Sequence, residues 1–301
     1  LNEITAMATI GLVTVLYNSD DVLPGFFESI SRQDFSHYIL YLVDNSACEQ
    51  TDNCIADCAT QFTVTSFRHI KSGGNVGVAT GNNIGIKAAL QDGCSHILIL
   101  NNDIEFDQPY VFSRLLSIAD EKNEPLIVPK IFYYDSRKLW MAGGYMDKWR
   151  ALGVHYGYNK EDAEKYNQPK HITYAPTCFM LVKKEVFDRV GIMDDKYFAY
   201  YDDTDFVFRA IKAGFTMYYE PALNILHKVS SSSGGDSGFY IYYSARNKIY
   251  FIRKNLRGFY RYFSLCYMFI SRLAFWLKYN KQGKKKLVQG IKDGFNLKVE
   301  K

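Results

Sequence analysis

Four short apolar runs punctuate the first hundred residues, and stretches with helical spacing separate them. Residues 10–16, 38–43, 62–67 and 96–100 are rich in β-branched, leucine and aromatic positions. Helical patterns fill the intervals, from a cap at Asp20 or Asp21 to about residue 32, over 49–60, and from a Gly/Asn-rich loop after Ser72 to about residue 91. Near-continuous apolar strands alternating with helices predict a mostly parallel sheet covered on both faces, an α/β fold.

After residue 105 the alternation loosens. Short strands are predicted at 126–129, 131–134, 178–183 and 217–219, with helices at 184–190 and 203–213, the latter stopped by Gly214. Residues 135–170, rich in Gly, Tyr and Lys, predict loops and hairpins. The Ser/Gly-rich stretch 230–238 is the natural boundary, and everything beyond it is helical and basic.

The composition is that of a globular protein: 301 residues, 48% hydrophobic and 23% charged. This excludes a mainly disordered chain and a small scaffold dependent on staples. The net charge of +4 conceals a split, because residues 246–301 carry 15 Lys and Arg against 2 Asp and Glu. An acidic body with a basic tail suits contact with an anionic surface. Cys48, Cys54, Cys58, Cys94, Cys178 and Cys266 form no C-x-x-C pair, so they are expected as small apolar groups in a reducing compartment. The start lacks a basic, apolar leader pattern, and the longest apolar stretch, 258–277, is interrupted by Arg261 and Arg272. A spanning helix is therefore not expected.

Parallel sheets bind ligands beyond the carboxyl ends of their strands. Here those ends carry Tyr17 and Asn18, Asp44 and Asn45, and Asn101, Asn102 and Asp103. Asp and Asn also cap helices, so each strand end alone fits either use; three together favour a ligand edge. The loop Gly-Gly-Asn-Val-Gly-Val-Ala-Thr-Gly-Asn-Asn-Ile-Gly over 73–85 matches neither a dinucleotide fingerprint nor a phosphate-binding Walker loop. It suits either close backbone approach to a ligand or tight helix–sheet packing. Asp202, Asp203 and Asp205 crowd three carboxylates into four positions, as a proton acceptor or as an acidic helix start. His227 follows a short apolar strand and by itself fits a structural role as well as a functional one.

The ordered set of these segments resembles the inverting glycosyltransferases of family 2, in the bacterial branch of rhamnosyl-, O-antigen and capsule transferases. The segments run from Val13-Thr-Val-Leu-Tyr-Asn-Ser through Leu42-Val-Asp-Asn-Ser, Asn75-Val-Gly-Val-Ala-Thr-Gly-Asn-Asn-Ile-Gly and Leu98-Ile-Leu-Asn-Asn-Asp. They continue through Cys178-Phe-Met-Leu-Val-Lys-Lys, Val190-Gly-Ile-Met-Asp, Tyr197-Phe-Ala-Tyr-Tyr-Asp-Asp-Thr-Asp and Pro221 to His227. The resemblance implies a GT-A fold over 1–235, with a nucleotide-binding half at about 8–104, an acceptor half at about 105–235, and a helical region at 236–301. It implies nucleotide-sugar contacts from Tyr17, Asp44, Asn75, Gly77, Asn83, Asn101 and Asn102. Asp103 and His227 would hold a divalent ion, Mn²⁺ or Mg²⁺, although Asn101 replaces the first acid of the family's D-x-D motif. Asp203 would be the catalytic base, with Asp202 and Asp205 on acceptor or substrate hydroxyls.

The implied partners are a nucleoside-diphosphate sugar, dTDP-rhamnose or a UDP-sugar, and a glycan acceptor on a lipid carrier, in surface-polysaccharide assembly. A nucleotidyltransferase lacks its basic Gly-rich loop here; a non-catalytic sugar- or nucleotide-binding module is the rival from another class. On a helical wheel drawn through 250–278, Lys254, Arg257, Arg261 and Arg272 share one face and Phe259, Phe263 and Ile270 the other. With Lys284, Lys285 and Lys286 this predicts a cytoplasmic protein held peripherally on the inner membrane face, or a tail that forms a homodimer; nucleic acid is not an expected partner.

Overall fold

The computed structural model describes residues 9–46, 48–229 and 238–299. The buried apolar runs became the centre of one ten-stranded sheet. β1 (Ile10–Leu16), β2 (Tyr38–Asp44), β3 (Phe67–Lys71) and β4 (His96–Leu100) are parallel, with β1 between β2 and β4. The helices between them are α1 (Leu23–Ser31), α2 (Glu49–Gln61) and α3 (Val78–Gln91). β1 and β4 are almost wholly buried, as continuous apolar strands must be when helices cover both faces.

The second half extends this sheet with mixed direction. After β5 (Ile104–Glu105) and α4 (Val111–Glu121) come β6 (Leu126–Tyr133) and the short β7 (Leu139–Met141). A separate hairpin pairs β8 (Gly144–Asp147) with β9 (Leu152–His155). Then follow β10 (Lys170–His171), β11 (Phe179–Lys183), α5 (Lys184–Val190), α6 (Asp202–Lys212) and β12 (Met217–His227). β11 lies antiparallel between β4 and β6, and β12 runs parallel to β6. The mixed, mostly parallel α/β sheet expected from the sequence is present.

Three expectations shift. The third strand starts at Phe67, not residue 62, because α2 runs to Gln61 and Thr63 then turns through positive φ. β3 is an edge strand with polar Arg68, His69 and Lys71, so its own pattern is weak. The two strands predicted at 126–134 are one, continuous through Pro129, and β12 runs eleven residues through a register shift between Glu220 and Asn224.

The C-terminal region folds as α7 (Gly238–Asn255), α8 (Gly258–Trp276) and α9 (Lys281–Asn296). The candidate boundary at 230–237 lies outside the described residues. α7 is anchored on the sheet domain: Tyr250, Phe251 and Ile252 belong to the main core. α9 lies so close along α7 that a Cβ at Gly290 would fall 2.5 Å from the Tyr242 carbonyl. The single helical wheel through 250–278 does not hold, because the chain breaks after Asn255 and Gly258 takes φ +53, which resets the phase. Lys254 consequently faces inward, on Asp194 (2.6 Å) and Asp205 (2.9 Å).

Candidate active site

The sheet order sets the ends of β2, β1 and β4 side by side. Beyond the β4 end opens a cavity of about 650 Å³. Asn101 and Asp103 line it from the strand edge, His227 from the end of β12, and Asp202, Asp203 and Thr204 from the first turn of α6. Tyr174, Trp140 and Cys178 complete the sheet side, and Ser244, Lys248 and Arg272 enter from α7 and α8. Residues that are far apart in sequence thus meet where the fold is expected to bind.

Asp103 and His227 come together. His227 Nε2 lies 3.2 Å from Asp103 Oδ1, and that buried oxygen has no hydrogen-bond partner among the described residues. Two ligand atoms at about 2.1 Å from one octahedral ion and at right angles would be about 3 Å apart, so the pair has the spacing of two ligands. Trp140 sets the His227 ring edge-on at 4.7 Å. It packs the same way on His155, whose burial pushes its pKa down. The donor set of one carboxylate and one imidazole suits Mn²⁺ or Mg²⁺.

A different cluster, Asp44, Asp52 and His69, also brings three potential ligand atoms together. The Lys71 ammonium already sits on Asp52 at 2.5 Å, which supplies the cluster with a cation. Asp44 itself, at the end of β2, accepts the Ser46 N–H at 2.7 Å, and its buried Oδ2 has no hydrogen bond among the described residues. Tyr17 is exposed at the neighbouring β1 end.

Asp202 and Asp203 are set apart by their surroundings. Tyr174 OH donates to Asp203 Oδ2 at 3.0 Å, and the Thr204 N–H and hydroxyl donate to Oδ1 at 2.6 and 3.0 Å. Burial raises the pKa of Asp203 above the usual carboxylate value, and these donors offset part of the rise. Asp202 is pushed up to about 8 by burial and by the charge of Asp203. Burial and the charge of Asp203 thus favour the protonated form of Asp202 near neutral pH, while the Tyr174 and Thr204 donors favour the charged form of Asp203.

The turn before α6 is strained. Tyr200 and Tyr201 both take positive φ, +65° and +69°. Such residues cost on the order of 1–3 kcal/mol each and persist only when their surroundings fix them. Asn247 of α7 provides that hold: its Nδ2 donates to the carbonyls of Ala199 (2.7 Å) and Tyr200 (2.8 Å). Tyr201 OH donates to the Ala151 carbonyl at 2.9 Å.

Four expected substrate contacts are corrected by the geometry. Asp205 points away from the cavity and is fully buried among Arg209 (2.8 Å), Lys254 (2.9 Å) and Asn255 (2.7 Å). Both amide atoms of Asn83 are taken by the Met193 backbone, at 2.8 and 3.0 Å. The Asn102 amide donates to the Ser19 hydroxyl, away from the cavity lining. At Gly77, φ is +84° and the space of a Cβ is filled by Phe198, whose carbonyl would lie 2.5 Å away. Its glycine therefore serves close packing of the loop against the turn that precedes α6. Asn75 sits in the same loop and accepts the Gly77 N–H at 3.1 Å.

Sequence reasoning missed Tyr174, Thr204, Asn247, Lys248 and Arg272. A signal existed for α7: Ser244, Asn247 and Lys248 are polar at i, i+3 and i+4, one face of a helix rich in aromatic residues.

The comparisons with known proteins agree with this geometry. The family model described as "Glycosyl transferase family 2" matches residues 12–191. The chain belongs to this family. This family-2 chain is 23% identical to the low-salt glycan biosynthesis hexosyltransferase Agl10 of Haloferax volcanii, over 81% of this chain and 75% of that one. It is 24% identical to the dTDP-rhamnosyl transferase RfbF of Shigella flexneri, over 67% and 72%. Its fold is that of the mannosyltransferase PcManGT from Pyrobaculum calidifontis, solved with GDP-Man and Mn²⁺. That likeness has TM-score 0.58 at 10% identity and covers 97% of this chain and 87% of the other. The sheet and its helices are thus a GT-A fold, and the protein is a glycosyltransferase; the nucleotidyltransferase and binding-module readings fall away.

Proposed function

We propose that this glycosyltransferase moves a sugar, rhamnose from dTDP-rhamnose or a hexose from a UDP-sugar, to a lipid-linked glycan with inversion of the anomeric centre. The observation that carries the reading is the cavity itself. Asp203 faces it from α6, and the Asp103–His227 pair faces it from the strand edge.

Asp203, whose charged form accepts hydrogen bonds from Tyr174 and Thr204, takes the proton of the acceptor hydroxyl as that oxygen attacks the anomeric carbon. The bond from this carbon to the diphosphate oxygen breaks on the opposite side, and the nucleoside diphosphate leaves with the electron pair. A divalent ion held by Asp103 and His227 would stabilise the charge on that leaving group as a Lewis acid. Asp202, protonated near neutral pH, donates a hydrogen bond to a sugar hydroxyl. Tyr17, Asp44, Asn75 and Asn101 hold the nucleotide sugar along the strand edge. The Agl10 and RfbF names support a hexosyl or rhamnosyl donor, and the Mn²⁺ in the PcManGT complex supports the metal.

α8 supports a peripheral position at an anionic lipid surface. Phe259, Tyr262, Ile270, Leu273 and Leu277 project from it and the residue after it, 66% to 78% exposed. At the C-terminal end of α8, Lys281, Lys284, Lys285 and Lys292 line a shallow pocket with Trp276. No helix among the described residues is long and apolar enough to cross a membrane. An apolar face bordered by lysines suits the headgroup boundary of an acidic bilayer.

The test is a donor screen. The purified protein is incubated with Mn²⁺ and UDP-, GDP- and dTDP-sugars, and released nucleoside diphosphate is assayed with and without EDTA. EDTA-sensitive release from one donor class is expected. Absence of release, with no thermal stabilisation by any nucleotide, would overturn the reading.

A further inference from the structure

Two cations on the helical wall of the cavity have no paired carboxylate among the described residues. Lys248 of α7 is buried, and among the described residues its ammonium has neither a carboxylate nor a hydrogen-bond partner; it lies only over the Tyr267 ring, at 5.4 Å. Arg272 of α8 lines the same wall, and among the described residues its guanidinium has no carboxylate or hydrogen-bond partner and lies over the Phe275 ring at 5.9 Å. Its charge is close enough to act on both Lys248 and Tyr201. The acid that reaches Lys248 electrostatically is Asp147, and that carboxylate is committed to Arg150 at 2.6 Å.

A buried ammonium beside a guanidinium, with no acid between them, is costly unless a ligand brings negative charge. The rest of α7 shows that the fold can pair its cations: Lys254, six positions on, has two carboxylates.

We propose that Lys248 and Arg272 form an anion subsite that takes a phosphate or diphosphate ester carried by the acceptor. This inference rests on the glycosyltransferase reading of the cavity and deepens it. The donor's diphosphate belongs at the Asp103–His227 pair on the strand edge. The cations instead come from the opposite helices, next to the strained turn that carries Asp202 and Asp203. α8 also joins the two features a lipid-linked phosphate requires. Arg272 turns into the cavity, while Ile270, Leu273 and Leu277 at the same end of the helix face outward. An acceptor whose phosphate is anchored at Lys248 and Arg272 would present its sugar toward Asp203 while its lipid lies along the outer face of α8.

Calorimetric titration with geranyl diphosphate tests this, on protein saturated with whichever of UDP, GDP or dTDP binds it in the presence of Mg²⁺. The diphosphate ester is expected to bind alongside the nucleotide. Lys248→Met and Arg272→Gln should each weaken it tenfold or more, and Lys248→Arg by less than threefold, with the nucleotide Kd within twofold throughout. Failure of the nucleotide-saturated wild type to bind geranyl diphosphate would overturn the proposal. So would an equal loss of nucleotide affinity in both neutral variants, since the cations would then serve the donor. If no nucleotide binds at all, the glycosyl-transfer reading fails separately, and the same variants titrated without nucleotide still judge the subsite.

Discussion

The strand edge and the C-terminal helices build facing walls of one cavity by different means. At the strand edge, backbone geometry does the placing: parallel neighbours in register bring Asp44 beside Leu16 and carry Asn101 and Asp103 past the end of β4. On the helical wall, placement depends on side chains from α7 and α8 reaching across to another element, as Asn247 does to Ala199 and Tyr200. A wall made by register tolerates substitution of its side chains without losing its shape. A wall made by single side chains loses shape and function together.

The largest expected effect lies in the cavity. Asp203→Asn should cut transfer by about 10³-fold while leaving donor binding and Tm near the wild-type values, since general-base contributions run to about 10²–10⁴. Stopped assays of product together with nucleotide titration check it; near-normal turnover would remove Asp203 from the base role. On the strand wall, His227→Ala should leave the fold intact and raise the Mn²⁺ concentration for half-maximal activity by about 10-fold or more. A metal titration unchanged by the substitution would break that assignment.

The helical wall responds in stability. Lys254→Met leaves half-buried Asp194 without its cation and buried Asp205 with Arg209 alone, and should cost about 2–3 kcal/mol, measured by urea unfolding. Lys248→Met, six positions away, removes a cation that has no partner and should cost nothing near pH 7. Burial lowers the pKa of Lys248 to about 8, below the unfolded value, so the ammonium penalises folding below pH 8 and the penalty fades as pH rises toward 10.5. Equal losses for the two lysines would erase the distinction between paired and ligand-awaiting cations.

Asp202→Asn should act only through pH. The folded pKa of about 8 stands above the unfolded 3.8, so the native state loses stability as pH rises from about 4 to 8. The asparagine variant should therefore gain stability progressively as pH rises from about 4 to 8 and gain nothing below pH 4, readable as a pH-dependent difference in Tm.

Much of the strand wall was legible because β1, β2 and β4 are buried on both faces and so apolar without interruption. β3 was displaced because an edge strand needs only one apolar face and Phe62 to Phe67 looks more strand-like than the residues that pair. Asp203 and Asp205 were indistinguishable as types, yet two helical positions differ by about 200° in direction, which separates cavity from core. For Asn83 the reason is the reverse: a polar amide beside a Gly/Asn-rich loop resembles a ligand contact, and only its place in α3 shows its partner, the Met193 backbone. The roles of Lys248 and Arg272 depend on how α7 and α8 cross the sheet domain, which no local pattern encodes.

The hold of Asn247 on the Tyr200 carbonyl spans 47 positions of chain. A nascent polypeptide reaches Asp202 and Asp203 long before it reaches the residue that fixes the turn in front of them. A chain that stops short of Asn247 therefore carries both carboxylates but lacks the side chain that holds the turn in front of them.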